Sequence, residues 1–408
     1  MAGPVVLDPF GRDLYGEAAR LRGAGPVARV VLPGGVVAWS VNRFDLIRRV
    51  LADPRVSKDA YRHWPAWISG EVDETWPLAM WVSVRSMLTA HGAEHTRLRR
   101  LVAGVFTARR VAELAPRIKE ITESLLERLA RAGAGEVVDL RAEFAYELPI
   151  RVIAEMLGLD GGESEAFHRV VDVLFTTSTD AQAARANQAE LYGLLDRLVA
   201  RKRAVPASDL TSALIAMRDE DGQGLTEREL VDTLHLILGA GHETTVNLLD
   251  HALCALLAAP GQLRLLREGT VPWEAAVDET LRTMAPVATI LLRFAVEDID
   301  LEGTVIPAGE PIVLSLVAAG RDAGTHGADA DTFDVTRPTR RDHLAFGHGV
   351  HHCVGRPLAM CEALTALPAF FARFPDARLA ARPDQLGRLE SFISSGHTAL
   401  PVLLTPAS

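Results

Sequence analysis

Apolar positions recur at helical spacing through most of the middle of the chain. From Glu94 to Leu266, stretches such as VAELAPRIKEITESLLERLARAG and QAELYGLLDRLVARKRA place hydrophobic residues three and four apart, the period of helices with one buried face. The pattern breaks at Gly133-Ala134-Gly135, Gly161-Gly162 and Pro206, which predicts a body of several helices. Outside it the period changes. Residues 26–41, PVARVVLPGGVVAWSV, form two β-rich runs around Pro33-Gly34-Gly35 and predict a hairpin. Residues 294–318, FAVEDIDLEGTVIPAGEPIVLSLVA, give short β-like runs with turns at Glu302-Gly303 and Pro307 to Gly309, and the C-terminal ALPVLL is similar. The expected fold is mostly α with small β-sheets. No repeat, low-complexity tract or long linker divides the chain, so a single domain over 1–408 is expected.

The longest predicted helix covers residues 226–259. Thr226 and Glu229 have capping-box spacing, Leu225 and Leu230 can staple its start, and Pro260-Gly261 ends it. Its middle, Gly239-Ala240-Gly241-His242-Glu243-Thr244-Thr245, is a weak helix former, because each interior Gly costs about 1 kcal/mol relative to Ala and threonine adds its own penalty. Two readings are open from these residues. The glycines can serve close helix packing, with Thr244 bonded back to the Ala240 carbonyl, or the acid and alcohol of Glu243-Thr244 can serve chemistry.

With 48% apolar residues among 408, the chain can bury a substantial core, and disorder is excluded as an overall state. A net charge of −10 opposes nonspecific attraction to nucleic acid or an anionic membrane. The opening MAGPVVLDPFGRDLYGEAARLR lacks the basic head and unbroken apolar stretch of a signal peptide, and no charge-free apolar run of about 18 residues follows. A cytoplasmic protein without nucleic-acid or membrane partners is expected. Three cysteines, Cys254, Cys353 and Cys361, are too few for a disulfide framework.

The segment HLAFGHGVHHCVGRPLAM, residues 343–360, sets Gly347, Gly349 and Gly355 around Cys353 ahead of a helical run. Glycines permit positive φ and close approach of the backbone to a bulky partner, and a helix start beside the sulfur favours a thiolate. A metal-bound sulfur fits. Zinc is one reading, since His348, His351, His352 and Cys353 supply ligands in one run, but no second CxxC or HxxxH pair is present.

Phe346, Gly349, Cys353 and Gly355 match F-x-x-G-x-x-x-C-x-G, and on this pattern the chain resembles the cytochrome P450 family, in particular its soluble actinobacterial members. The resemblance implies the P450 fold, haem b (iron protoporphyrin IX) ligated by Cys353, and O2 as co-substrate, with Phe346, Gly347, Gly355, Ala240 and Gly241 near the cofactor. It places Glu243 and Thr244 on the proton path to dioxygen, within a widened helical turn. It assigns Glu279 and Arg282 of E-x-x-R, with Arg337, to a structural charge network. His95, Arg99, Arg293 and His351 match the family's contacts to the haem propionates, although the run EHTRLRR could equally be a solvated basic face. The matches run in family order from residue 91 to 355. Departures are His91-Gly92-Ala93 in place of Asp-Pro-Pro, Gly320 in place of Asn, and Met360 in place of Arg.

The chain has no flavin or iron-sulfur segment, so the resemblance implies a monomer fed by ferredoxin and ferredoxin reductase from NAD(P)H. Arg100, Arg109, Arg110, Arg340, Arg341 and Arg356 could form a docking patch or be solvated charges. An apolar small-molecule substrate would meet segment 61–90, helices around 165–190, Leu236, Ala240 and Thr244, Val287 to Leu292, and Ile393-Ser394. Trp64, Trp67, Trp76 and Trp81 could line that pocket or pin a loop. Hydroxylation or epoxidation in secondary metabolism, or of a steroid- or macrolide-type substrate, is the expected activity. A haem protein that only binds a ligand could dispense with Glu243-Thr244, and so could a peroxide-driven enzyme.

Overall fold

The computed structural model describes residues 3–174 and 181–405. The helical body is present as Gly92–Ala103, Ala108–Leu129, Glu147–Leu157, Gly161–Leu174, Ala181–Ala204, Leu210–Ala216 and Glu227–Ala258. Two boundaries differ from expectation. The break assigned to Gly161-Gly162 falls earlier, because Gly158 takes φ +70° and closes the helix Glu147–Leu157, whereas Gly161 already begins the next one. After Gly133-Ala134-Gly135 comes a short strand, Val137–Asp139, that pairs with Pro401–Leu403. Three residues carry too little period to announce a strand whose partner lies so far along the chain. Arg141–Tyr146, expected as ordinary helix, is a π-helical turn.

The N-terminal hairpin forms as predicted, Val27–Val31 against Val37–Val41, with Gly34 and Gly35 at φ +82° and +83° in its turn. It sits inside a six-stranded sheet in the order Val5–Val6, Val27–Val31, Val37–Val41, Pro311–Ser315, Thr289–Ala295, Val56–Ser57. The 294–318 stretch therefore divides. Ile299–Leu301 and Thr304–Ile306 make their own two-residue hairpin, where Glu302 and Gly303 both have positive φ, while the flanking strands join the large sheet.

Glu227–Ala258 is the axis of the helical layer, about 48 Å long at 1.5 Å per residue. The predicted capping box is made: the Thr226 amide donates to Glu229 at 2.8 Å, and the Glu229 amide donates to the Thr226 hydroxyl. The helix packs against Arg141–Tyr146, Glu147–Leu157, Ala181–Ala204, Trp273–Thr283 and Arg356–Arg373, so it is apolar nearly all round, with Leu234, Leu238, Leu249 and Leu253 fully buried. Each such leucine contributes roughly 1.5–3 kcal/mol of burial. Among the described residues, no helix is long and apolar enough to cross a membrane.

Candidate active site

The cysteine loop is shaped by two glycines rather than three. Gly347 and Gly349 take φ +71° and +69°, and a Cβ at Gly349 would stand 2.5 Å from the Leu51 carbonyl oxygen. Gly355, expected to supply the same freedom, has φ −80° and instead precedes the helix Arg356–Arg373. The Cys353 amide closes the loop on the Phe346 carbonyl at 2.8 Å. The thiol is accessible, yet protein surrounds it closely enough that burial pushes its pKa up, against the opposing pull of the Gly355 and Arg356 amides and the Arg99 and Arg356 cations.

The zinc reading fails on geometry. Among the described residues, the one group of three or more side chains spaced to hold a metal ion is Asp250, His251 and His397, which excludes Cys353. His351 packs against His95 with tilted rings, centroids 4.2 Å apart.

His95 and His351 belong to a cluster of bases that also holds Arg99, Arg293 and a residue that motif reading missed, Lys58. Charges on Arg293, His95, Lys58 and Arg99 all act on His351, whose pKa burial and these cations push down to about 2. Burial alone pulls Arg293 down to about 10. Arg293 follows a register shift between Ile290 and Arg293, the kind of irregularity that re-aims a strand side chain. Among the described residues, no carboxylate pairs with any of the five bases, and buried His95 Nε2 and Arg293 Nη1 have no partner. Buried cations without acids are costly, so the donor set fits a group carrying carboxylates, as haem does. Arg99 also donates to the His352 carbonyl at 2.6 Å and braces the cysteine loop.

The central helix brings Glu243 and Thr244 together in sequence but separates their side chains. Leu236, Ala240 and Thr244, four apart, form the incompletely buried stripe of an otherwise buried stretch, with Ala240 exposed. The Thr244 hydroxyl donates to the Ala240 carbonyl at 2.7 Å, and the helix runs unbroken, so the widened turn expected there is closed in this structure. Gly241 does not face this stripe: its missing Cβ would meet Ile153 Cδ1 at 2.6 Å, so it serves close packing of the neighbouring helix.

Glu243 turns inward. Its Oε1 accepts from Asn247 Nδ2 at 3.0 Å and Ser394 Oγ at 3.4 Å, and Arg141 Nη2 lies 3.6 Å away. Arg141 also donates to Asn247 Oδ1 at 2.9 Å and approaches Asp250 at 3.5 Å, while Asp250 accepts from His397. Ser394, expected against substrate, is part of this buried network, and Ile393 beside it is core. Sequence reading missed Arg141, Asn247, Asp250 and His397, since none carries a motif and they meet only through packing.

Glu279, Arg282 and Arg337 meet in one buried charge network. Arg282 forks onto both Glu279 oxygens at 2.7 Å and caps the Gly320 and Ala330 carbonyls, and Arg337 joins Glu279 at 3.3 Å. Gly320 has its own reason: a Cβ there would lie 1.8 Å from the Arg282 carbonyl oxygen. Trp64, Trp67 and Trp76 are buried, with Trp64 stacked near Phe294 at 5.2 Å and Trp76 Nε1 donating to the Pro33 carbonyl at 2.7 Å, so these three pin the segment. Trp81 is half-buried. Among the basic-patch candidates Arg100, Arg109, Arg341 and Arg356 are exposed, but Arg100 pairs with Glu220, Arg109 with Glu113 and Arg341 with Asp278. Of the helices around 165–190, residues 175–180 lie outside the described residues.

A thiol set at a helix start, a cluster of buried bases without acids and an acid-alcohol pair on a long helix fit a haem-thiolate protein. The chain belongs to the cytochrome P450 family, whose pattern matches residues 48–269 and 273–382, and it is a monooxygenase of that family. It is 42% identical, over 98% of its length and 97% of the relative's, to 2-hydroxy-5-methyl-1-naphthoate 7-hydroxylase of Streptomyces carzinostaticus. It is 42% identical to the cytochrome P450 monooxygenase PikC of Streptomyces venezuelae, covering 98% of this chain and 95% of that one. The solved structure of CYP154A1 from Streptomyces coelicolor superposes with a TM-score of 0.92 at 50% identity, covering 98% of this chain and 100% of that one.

Proposed function

We propose that residues 1–408 act as one monooxygenase domain that hydroxylates or epoxidises an apolar small molecule of secondary metabolism. The observation that carries this reading is Cys353, an accessible thiol on a loop bordered by buried bases that no acid neutralises. Cys353, as thiolate, would hold the haem iron; His95, Arg99, Arg293 and His351 would hold the propionates; Phe346, Gly347, Gly355, Ala240 and the Gly241 backbone would border the ring. Bound haem supplies the activation of O2 and the insertion of one oxygen atom into substrate.

The chain's own residues govern protons and water. Thr244 must release the Ala240 carbonyl to donate elsewhere, a rotation of one hydroxyl at the accessible stripe. Glu243 is the acid that reloads it, held in reserve by Asn247, Ser394 and Arg141 until it turns. Leu236 and Ala240 offer substrate an apolar wall on the same stripe, and this wall limits water beside Thr244. The naphthoate hydroxylase relative supports a substrate of similar bulk.

Electrons come from NAD(P)H through ferredoxin reductase and ferredoxin in the cytoplasm, with docking beside Cys353, where Val350 and Arg356 are exposed. The deciding measurement is the absorption of the reduced, carbon-monoxide-bound protein. A main band far to the red of a histidine-ligated haem is expected, and its loss in Cys353→Ala; an ordinary haem-protein position would overturn thiolate ligation.

A further inference from the structure

Lys58 belongs to the cluster of bases beside the cysteine loop but matches none of the family's propionate contacts. The strand Val56–Ser57 runs antiparallel to Thr289–Ala295, with Val56 opposite Ala295 and Ser57 opposite Phe294. One residue on, the same register sets Lys58 across from Arg293, with both side chains on one face. Lys58 is buried, and its ammonium donates to the Leu291 carbonyl at 2.6 Å, two residues before Arg293 on that strand. An ammonium has three donors, and this bond uses one. Among the described residues no carboxylate takes the others, and the neighbour that acts on Lys58 is another cation, Arg293. A buried lysine beside a buried arginine either gives up its proton or is completed by an anion.

We propose that Lys58 binds a haem propionate, sharing that carboxylate with Arg293. The inference rests on the reading of His95, Arg99, Arg293 and His351 as the carboxylate-binding edge, and it adds a point charge from the opposite strand. Burial and Arg293 hold the lysine well below its usual proton affinity, and a carboxylate at this place restores its charge. The competing role is mechanical: Lys58 would simply tie two strands through Leu291.

The two roles part when the propionates are removed from the cofactor instead of the lysine from the protein. Wild type, Lys58→Met and Lys58→Arg would each be loaded with haem or with its dimethyl ester, and the rate of loss to an excess of an apo haem acceptor followed by absorbance. With haem, Lys58→Met should lose its cofactor about tenfold faster than wild type, the scale of one charge-assisted hydrogen bond, and Lys58→Arg should recover most of that difference. With the diester, wild type and Lys58→Met should lose it at the same rate. If Lys58→Met speeds loss of both cofactors by the same factor, the lysine is only a brace and the proposal falls. If wild type holds diester as tightly as haem, the carboxylate-binding edge itself falls. Thermal melts of the loaded variants check that each is folded.

Discussion

At the scale of single residues, the most informative side chain is Thr244, because it is engaged with its own helix. Its hydroxyl satisfies the Ala240 carbonyl, a bond whose loss costs a helix little. Thr244→Ala is therefore expected to melt within a few degrees of wild type while sending a severalfold larger share of reducing equivalents to hydrogen peroxide. Product and peroxide per NAD(P)H consumed would be measured; unchanged coupling would remove Thr244 from the proton path. Glu362 makes the opposite case. It is buried on Arg356–Arg373 with neither carboxyl oxygen partnered, and burial pushes its pKa up to about 8. The folded protein keeps this proton at neutral pH while the unfolded chain gives it up near the ordinary carboxyl value, so the group's contribution to stability declines as pH rises from about 4.5 to 8. Glu362→Gln should melt at a higher temperature than wild type at pH 7.5, and the two should converge near pH 5.

At the scale of elements, the long helix and the short helix Leu316–Gly320 illustrate two ways a glycine is used. Gly241 faces the flexible end of Ile153, so Gly241→Ala is expected to be tolerated with a small rearrangement. Gly320 faces the Arg282 carbonyl, which is backbone, and Gly320→Ala should destabilise by about 3 kcal/mol or more in urea unfolding, as overpacking against a fixed group does. Removing the start signal is milder: Thr226→Ala should cost about 1 kcal/mol. The cap, the staple and the Pro260 stop of Glu227–Ala258 were legible because each is a local contact between neighbours in sequence. The strand Val137–Asp139 and the π-turn Arg141–Tyr146 were not, because both depend on partners elsewhere in the chain.

At the scale of the whole molecule, buried histidines set a lower limit on useful pH. His235 and His251 are buried, and desolvation pushes both down to about 4. In the unfolded chain they take up protons near 6.5, so stability is complete above that pH and falls as pH drops through the window from 6.5 to 4, by at most about 3 kcal/mol per residue. Urea unfolding from pH 7 to 4.5 should show this decline, and His251→Gln should flatten it; an identical slope in the variant would exclude His251 as a source. Glu279, Arg282 and Arg337 act at the same scale, joining the Trp273–Thr283 helix to segments around 320–337. Removing Glu279 leaves the buried Arg282 guanidinium without a carboxylate, so Glu279→Ala should cost about 3 kcal/mol or more and lower the yield of haem-loaded protein.

The sequence by itself determined the mostly helical fold, the cysteine proposed to ligate iron, the acid-alcohol pair and the E-x-x-R spacing, because each is written in spacing along one segment. Cys353 carries its glycines and helix start within a few residues, and Glu243-Thr244 announce themselves as a flaw in a long helix. Only the tertiary structure decided which way those side chains turn. It placed Glu243 among Arg141, Asn247 and Ser394, tied Thr244 to Ala240, aimed Gly241 at Ile153, and set Lys58 across from Arg293. The physical reason is range: propensity, capping and motif spacing act over a handful of neighbouring residues, whereas burial and charge compensation are settled by whatever distant segment the packed core brings alongside.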